Sequence, residues 1–154
     1  MGSLESLVYL NLSCMNFGGK VPPQLGNVSR LLYLDLYNQW NPHGEFIVGD
    51  ISWLARLPLL KFLDMSGANL GTIGNWVQVL NMLSNLRALR LRECRLVFPQ
   101  TSVMNSNLTS LRMLDLSNKW LHTLNPTYWF WDVGTIRHLD LSGNEIDGPF
   151  PDAM

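Results

Sequence analysis

Apolar residues recur along this chain in pairs separated by a single outward residue. Aligned on these pairs, the sequence reads Leu10/Leu12, Leu34/Leu36, Leu63/Met65, Leu89/Leu91, Leu114/Leu116 and Leu139/Leu141. Successive pairs begin between 24 and 29 residues apart. Alternation within each pair predicts a short strand with one buried face. A unit of this size cannot bury its own apolar face, so six of them predict a stacked repeat architecture.

The clearest unit is the stretch R-H-L-D-L-S-G-N-E-I-D-G-P-F-P, residues 137–151. Leu139, Leu141, Asn144 and Ile146 fall on the leucine-rich-repeat template L-x-L-x-x-N/C-x-L, in which the Asn satisfies backbone groups at a turn. The sequence therefore predicts an α/β solenoid, with residues 1–154 forming one leucine-rich-repeat domain of about six repeats. We expect a right-handed superhelix, a parallel concave sheet of about six strands, and helical or irregular convex segments. The residues at the Asn position are, in order, Met15, Gln39, Ala68, Cys94, Lys119 and Asn144.

The intervals between strands predict the convex side. Residues 74–83 carry apolar residues at helical spacing and predict a short helix, and residues 51–57 and 127–133 predict a turn or two of helix. Asn41-Pro42-His43-Gly44 marks a loop insertion. The tryptophans lie beside leucines in these segments, so we expect core packing and not a sugar-binding platform; they are Trp40, Trp53, Trp76, Trp120, Trp129 and Trp131.

Composition narrows the function classes. Hydrophobic residues make up 47% and charged residues 15%, as expected of a folded chain. The formal net charge of -1 lacks the basic excess of a nucleic-acid or anionic-membrane surface. No apolar run approaches the roughly 18 residues of a membrane span. The N-terminus shows no signal-peptide pattern.

The chemistry-bearing residues are dispersed. His43, His122 and His138 lie in separate repeats and no hydrolase, metal or phosphate-loop motif occurs, so we expect neither catalysis nor a metal or cofactor. Cys14 and Cys94 lie three strand spacings apart, about 14 Å. A disulfide needs Cα atoms within about 7 Å, so these two should not pair.

Side chains beside the strand leucines should face the concave surface. The sets are Tyr9/Asn11/Ser13, Tyr33/Asp35/Tyr37, Phe62/Asp64/Ser66, Ala88/Arg90/Arg92, Met113/Asp115/Ser117 and His138/Asp140/Ser142. A rigid ladder of aromatic and charged columns favours a protein- or peptide-binding face. The candidate ligand-binding residues are Tyr9, Tyr33, Asp35, Tyr37, Phe62, Asp64, Arg90, Arg92, Asp115, His138 and Asp140. The competing interpretation is a strand consensus, L-D-L-S, in which Arg90 relieves repulsion between its Asp neighbours.

Three N-x-S/T sequons begin at Asn11, Asn27 and Asn107. Asn27 and Asn107 should lie in turns between repeats, where a glycan is accommodated. Asn11 should face the concave side, where a glycan would block binding nearby.

The segment N-F-G-G-K-V-P-P-Q-L-G-N-V-S matches the plant-specific pattern L-x-G-x-I-P-x-x-L-G through Phe17, Gly19, Val21, Pro22, Leu25 and Gly26. Residues 4–154 resemble plant leucine-rich-repeat receptor-like proteins and receptor kinases, most of all cereal receptor-like proteins of the xylanase-receptor group. The resemblance implies a cell-surface or extracellular ectodomain that recognises a protein or peptide ligand in defence or developmental signalling. It also implies a co-receptor kinase as a partner.

Two alternatives remain open. The first is a soluble defence protein resembling polygalacturonase-inhibiting proteins. The second is a truncated, non-functional fragment, because the signal peptide, cysteine-paired caps and membrane span of the receptor family are not seen in this sequence. Open repeat faces at both ends predict low stability or self-association.

Overall fold

The computed structural model describes residues 4–15, 19–38, 46–98, 106–118 and 121–149. Its strands are β1 (Tyr9–Asn11), β2 (Gly19–Lys20), β3 (Tyr33–Asp35), β4 (Phe46–Ile47), β5 (Phe62–Asp64), β6 (Ala88–Arg90), β7 (Met113–Asp115) and β8 (His138–Asp140). Six of them form one parallel sheet in the order β1-β3-β5-β6-β7-β8. Its register pairs the first leucine of every repeat with that of the next, from Leu10 to Leu139. The predicted parallel sheet of a solenoid is confirmed.

The convex segments are short helices. Trp76–Leu80 is the α-helix α1, and Pro23–Asn27, Ser52–Arg56 and Trp129–Asp132 are 3₁₀ helices. The helices expected within 51–57, 74–83 and 127–133 are present, although α1 is shorter than its apolar pattern, and no side chain caps its first turn. The helix at Pro23–Asn27 was not predicted; its proline at the start supplies the φ that a first turn needs.

The core lies between the sheet and the convex helices. Leu34, Leu63, Leu89 and Leu114 are fully buried because each has a repeat on both sides. Leu10 and Leu139, in the outermost strands, are only partly buried.

Tryptophans fill the convex side of that core. Trp53, Trp76 and Trp129 are buried, and Trp131 packs against the core while half-buried, so the core-packing prediction is confirmed for these four. Among the described residues, three indole N–H groups donate to main-chain carbonyls: Trp53 to Asp50 at 3.1 Å, Trp76 to Val97 at 2.8 Å and Trp131 to Asn125 at 3.0 Å. Several features predicted from the sequence lie outside the described residues: Phe17, Gln39, Trp40, the 41–44 loop with His43, Lys119 and Trp120.

A second sheet, which the sequence did not predict, joins the early repeats. Strands β2 and β4 pair in parallel, Gly19 with Phe46 and Lys20 with Ile47, and Ile47 forms a further bridge with Asn69. Backbone hydrogen bonds continue this pairing into the third repeat, from Asn69 N–H to the Phe46 carbonyl at 2.9 Å.

The Asn position of the template is satisfied in different ways. The Asn144 amide donates to the carbonyls of Leu116 at 3.0 Å and Leu141 at 2.7 Å. Buried Cys94 takes the same role with its thiol, which donates to the Met65 carbonyl at 3.1 Å. Cys14 is exposed, and both cysteines are free, as predicted.

Five of the six strands of the main sheet are followed by a turn residue in the left-handed conformation; the strand β3 is the exception. The position holds Cys14, Gly67, Glu93, Asn118 and Gly143, with φ between 53° and 79°. Glycine is required at Gly67, where a Cβ would collide with the backbone carbonyl oxygen of Asn38 in the neighbouring repeat. The turn therefore brings adjacent repeats into backbone contact.

No helix among the residues described is long and apolar enough to cross a membrane.

We expect Gly67→Ala to lower the free energy of unfolding by at least about 2 kcal/mol, since it adds left-handed strain to a collision with fixed backbone. Gly74→Ala is the matched control, because a Cβ there meets no atom within 4 Å. It should change stability by no more than about 0.5 kcal/mol. Urea unfolding of both variants measures the difference, and equal stabilities would contradict the turn assignment.

Candidate binding surface

Three aromatic rings stack across the first three repeats of the concave face. We call Tyr9, Tyr33 and Phe62 the aromatic row. The rings of Tyr9 and Tyr33 have centroids 4.3 Å apart at 15°, and those of Tyr33 and Phe62 lie 4.2 Å apart at 5°. In-register parallel strands about 4.8 Å apart place equivalent side chains face to face. Tyr9 remains 54% exposed, so the row presents apolar surface to solvent.

Arg90 ends the aromatic row. Its guanidinium carbon lies 5.5 Å from the centre of the Phe62 ring, a cation–π contact. The space is available because the neighbouring residue of the column is the small Ala88. Arg90 Nη1 also lies 3.8 Å from Asp64 Oδ2, as expected if Arg90 offsets the aspartate charge.

The second residue of each concave set carries a structural role that the sequence alone did not reveal. We call these residues the middle column: Asn11, Asp35, Asp64, Arg90, Asp115 and Asp140. In four repeats the aspartate Oδ1 accepts the N–H of the residue two positions later, at 2.9–3.0 Å; the aspartates are Asp35, Asp64, Asp115 and Asp140. Asn11 makes the same contact with Ser13 at 2.9 Å. These Asx turns fix where each strand ends. Asp35 and Asp64 are buried and face a ligand least, whereas Asp140 is exposed.

Burial and hydrogen bonding shift the pKa values of groups on this face in opposite directions. Burial raises the pKa of Asp64, opposed by hydrogen bonds from Ser66 and by Arg90 and reinforced by Asp35. Hydrogen bonds from Ser142 lower the pKa of the exposed Asp140. Burial, with repulsion from Asp35, raises the pKa of Tyr33 to about 12. The Tyr33 hydroxyl donates to Asp35 Oδ2 at 3.3 Å, so it stays protonated and orients its ring.

The remaining predicted site residues are more dispersed. Arg92 is exposed, with Nε 3.6 Å from the Glu93 carboxylate. Tyr37 is half-buried. His138 is exposed and, among the described side chains, makes no hydrogen bond with Asp115 or Asp140. The structure thus brings the aromatic row and Arg90 together and leaves Arg92 and His138 as separate exposed groups.

One row of charged side chains was missed by the sequence reasoning. The row consists of Lys61, Arg87, Arg112 and Arg137, which directly precede the first residues of the strands β5, β6, β7 and β8, and all four are exposed. We call them the cation row. Extending the alignment of the repeats by one residue towards the N-terminus shows this row in the sequence.

The three sequon asparagines are exposed. Asn27 is the last residue of a 3₁₀ helix, and its Oδ1 accepts from Arg56 Nη1 at 3.1 Å. Asn107 lies in the loop before Leu108, while Asn11 lies on β1 beside Tyr9. The described residues contain no group of three or more His, Cys, Asp or Glu placed to hold a metal ion.

The in-register leucines, parallel sheet and repeated turns define a leucine-rich-repeat solenoid. Two family profiles agree: one described as "Leucine rich repeat" matches residues 84–146, and one described as "Leucine Rich Repeat" matches residues 6–28. Residues 6–28 and 84–146 are thus leucine-rich repeats by profile as well as by fold.

Its curated relatives are plant receptor-like proteins, which confirms the resemblance inferred from sequence. Receptor-like protein EIX1 of Solanum lycopersicum is 34% identical over 99% of this chain and 14% of its own length. Receptor-like protein 47 of Arabidopsis thaliana is 30% identical over 82% of this chain and 15% of its own length. The chain therefore spans about one seventh of the length of these two relatives.

Two solved structures show the same fold. A leucine-rich-repeat protein of Leptospira interrogans superposes with a TM-score of 0.71 at 24% identity, over 97% of this chain and 34% of that one. The second is the ectodomain of the Arabidopsis thaliana membrane receptor kinase GASSHO1/SCHENGEN3, solved in complex with CASPARIAN STRIP INTEGRITY FACTOR 2. It superposes with a TM-score of 0.68 at 24% identity, over 95% of this chain and 16% of that one.

The raised pKa of Asp64 means that the folded chain holds this proton at a pH where the unfolded chain has lost it, so this group's contribution to stability falls as pH rises through that interval. An asparagine at this position would keep an oxygen for the Ser66 N–H without the buried charge. We therefore expect Asp64→Asn to leave the free energy of unfolding at pH 7 unchanged or higher, with any gain disappearing in acid.

Asp140→Asn is the matched control, because its lowered pKa gives the opposite sign. That variant should be less stable than the parent at pH 7, and the deficit should shrink as pH falls through the acid range. Urea unfolding across pH 3 to 7 measures both. A marked loss of stability for Asp64→Asn at pH 7 would contradict a burial-dominated Asp64.

Proposed function

We propose that this chain is a recognition module whose concave face binds an extended segment of a protein or peptide ligand. The observation that carries the proposal is the aromatic row, which ends in the cation–π contact of Arg90 with Phe62. Aromatic residues and arginine dominate binding energy at protein interfaces.

The rings are already ordered without a ligand. Tyr33 is held between two stacked neighbours, and its hydroxyl is fixed by Asp35. A partner that packs on the row therefore loses less side-chain entropy than one that has to order flexible residues. The leucine core beneath holds the spacing of the rings.

The relatives favour a receptor context. The curated matches are receptor-like proteins of plants, and GASSHO1/SCHENGEN3 is a membrane receptor kinase solved in complex with CASPARIAN STRIP INTEGRITY FACTOR 2. We accordingly propose that the chain forms part of a cell-surface receptor-like protein in defence or developmental signalling, with a co-receptor kinase as a second partner. The exposed sequons at Asn27 and Asn107 support passage through the secretory pathway.

A random peptide library panned on this chain tests the proposal. We expect Tyr9→Ala and Tyr33→Ala each to weaken binding of the selected peptides by at least about tenfold, the loss of roughly 1.4 kcal/mol of contact. Met82→Ala is the matched control, since Met82 is 59% exposed and lies after α1, away from the sheet. It should leave affinity within about twofold.

Fluorescence polarisation gives the affinities, and thermal melts show whether each variant is folded. Because Tyr9 lies at the outer end of the row, its removal disturbs less packing than that of Tyr33. Folded Tyr9 and Tyr33 variants with parental affinity would overturn the proposal.

A further inference from the structure

The cation row is a fixed feature of the sheet. The N–H of Arg87 donates to the Lys61 carbonyl, that of Arg112 to the Arg87 carbonyl, and that of Arg137 to the Arg112 carbonyl, each at 2.8 Å. Four cationic residues therefore lie at the same position, one residue before the start of four adjacent strands. They span three strand spacings, about 14 Å.

Among the described residues, these four cations have no acidic partner. Like charges on neighbouring strands repel one another. Within the described parts of the chain, none of the four makes a salt bridge, and only Arg112 has a side-chain hydrogen bond, from Nη1 to the Thr135 carbonyl at 3.1 Å. A row of unpaired cations on a chain of net charge -1 creates a local positive field that an anionic ligand would neutralise.

The same position is apolar in the first two repeats. Val8, which is 47% exposed, and Leu32 stand where the later repeats carry Lys61 and the arginines. The aromatic row occupies repeats one to three and stops where the cation row begins. The concave face thus changes from apolar and aromatic at one end to cationic along one flank at the other.

We propose that the ligand is an extended peptide segment with an apolar, aromatic part and an acidic part, the acidic part lying on the cation row. This proposal rests on the recognition function above and assigns the ligand's chemistry. At about 3.3 Å per residue, the 14 Å row matches about four residues of extended chain. A plain polyanion would leave the aromatic row and Val8 unused, which favours a peptide carrying both kinds of side chain.

The aspartates restrict where acidic residues can lie. Asp115 and Asp140 lie in the middle column, and the first outward residue of each strand separates them from the cation row. Their negative charges repel the carboxylates of a ligand, which therefore lie on the flank of the cation row. The ligand's acidic side chains consequently all point to one side of the sheet.

The test uses two fluorescein-labelled peptides that share an aromatic, apolar half and end in either four glutamates or four glutamines. We expect the glutamate peptide to bind at least about tenfold more tightly at low ionic strength, with the gap narrowing at physiological salt, where the Debye length is about 8 Å. In the double variant Arg87→Gln, Arg112→Gln, this preference should fall to within about twofold.

Lys20→Gln with Arg30→Gln is the matched control, since both residues are exposed, lie outside the row and remove the same charge. It should retain the preference, and thermal melts check that both double variants are folded. Failure of the glutamate peptide to bind, equal binding of the two peptides, or a glutamate preference that survives Arg87→Gln, Arg112→Gln would overturn the proposal.

Two further outcomes distinguish the proposed ligand from a simple polyanion and from a peptide without an acidic part. If a glutamate peptide without aromatic residues, or polygalacturonate, binds as tightly as the full peptide, the face is a simple polyanion site and the peptide assignment is overturned. If the glutamine peptide binds equally well and Tyr33→Ala weakens it, the acidic assignment falls while the recognition function stands.

Discussion

The structure depends on one constraint: a single repeat cannot bury its own leucines. Leu34, Leu63, Leu89 and Leu114 reach full burial only because the neighbouring repeats cover them from both sides. That requirement fixes the parallel register of the sheet, since a slip of one residue would turn the leucines outward. The left-handed turns, including the one in which Gly67 meets the Asn38 carbonyl, let the repeats approach at the spacing that this burial needs.

The same stacking turns each outward position into a row, and the chemistry of a row is that of its residues repeated at strand spacing. Aromatic residues gain from this repetition, as the nearly parallel rings of Tyr33 and Phe62 show. Cations are destabilised by it, because like charges at strand spacing repel one another. Arg87, Arg112 and Arg137 have no acidic partner among the described residues to offset this repulsion. A partner of opposite charge relieves the repulsion that the cation row has in the unbound chain. This links the energetics of the sheet to its proposed role in binding.

The sequence predicted the parts of the fold whose signal recurs from repeat to repeat. The leucine pairs give the six strands and their register, and the apolar spacing around Trp76 gives the helix α1. The second sheet could not be predicted, because Gly19–Lys20 and Phe46–Ile47 are two-residue strands without any alternation. The role of the aspartates was equally hidden, since L-D-L-S reads the same whether the carboxylate caps a turn or meets a ligand. Burial of Asp64 beside Arg90 depends on the stacked neighbours and not on the local sequence.

A crystal structure of this chain with the tightest peptide from panning tests the central claim most directly. We expect a peptide that crosses the six-stranded sheet, from β1 through β3, β5, β6 and β7 to β8, on the concave side. Its aromatic side chains should contact Tyr33 and Phe62, and its carboxylates should lie within about 3 Å of the guanidinium groups of the cation row. A peptide bound to the convex helices, or along the edge of the second sheet, would contradict binding on the concave face.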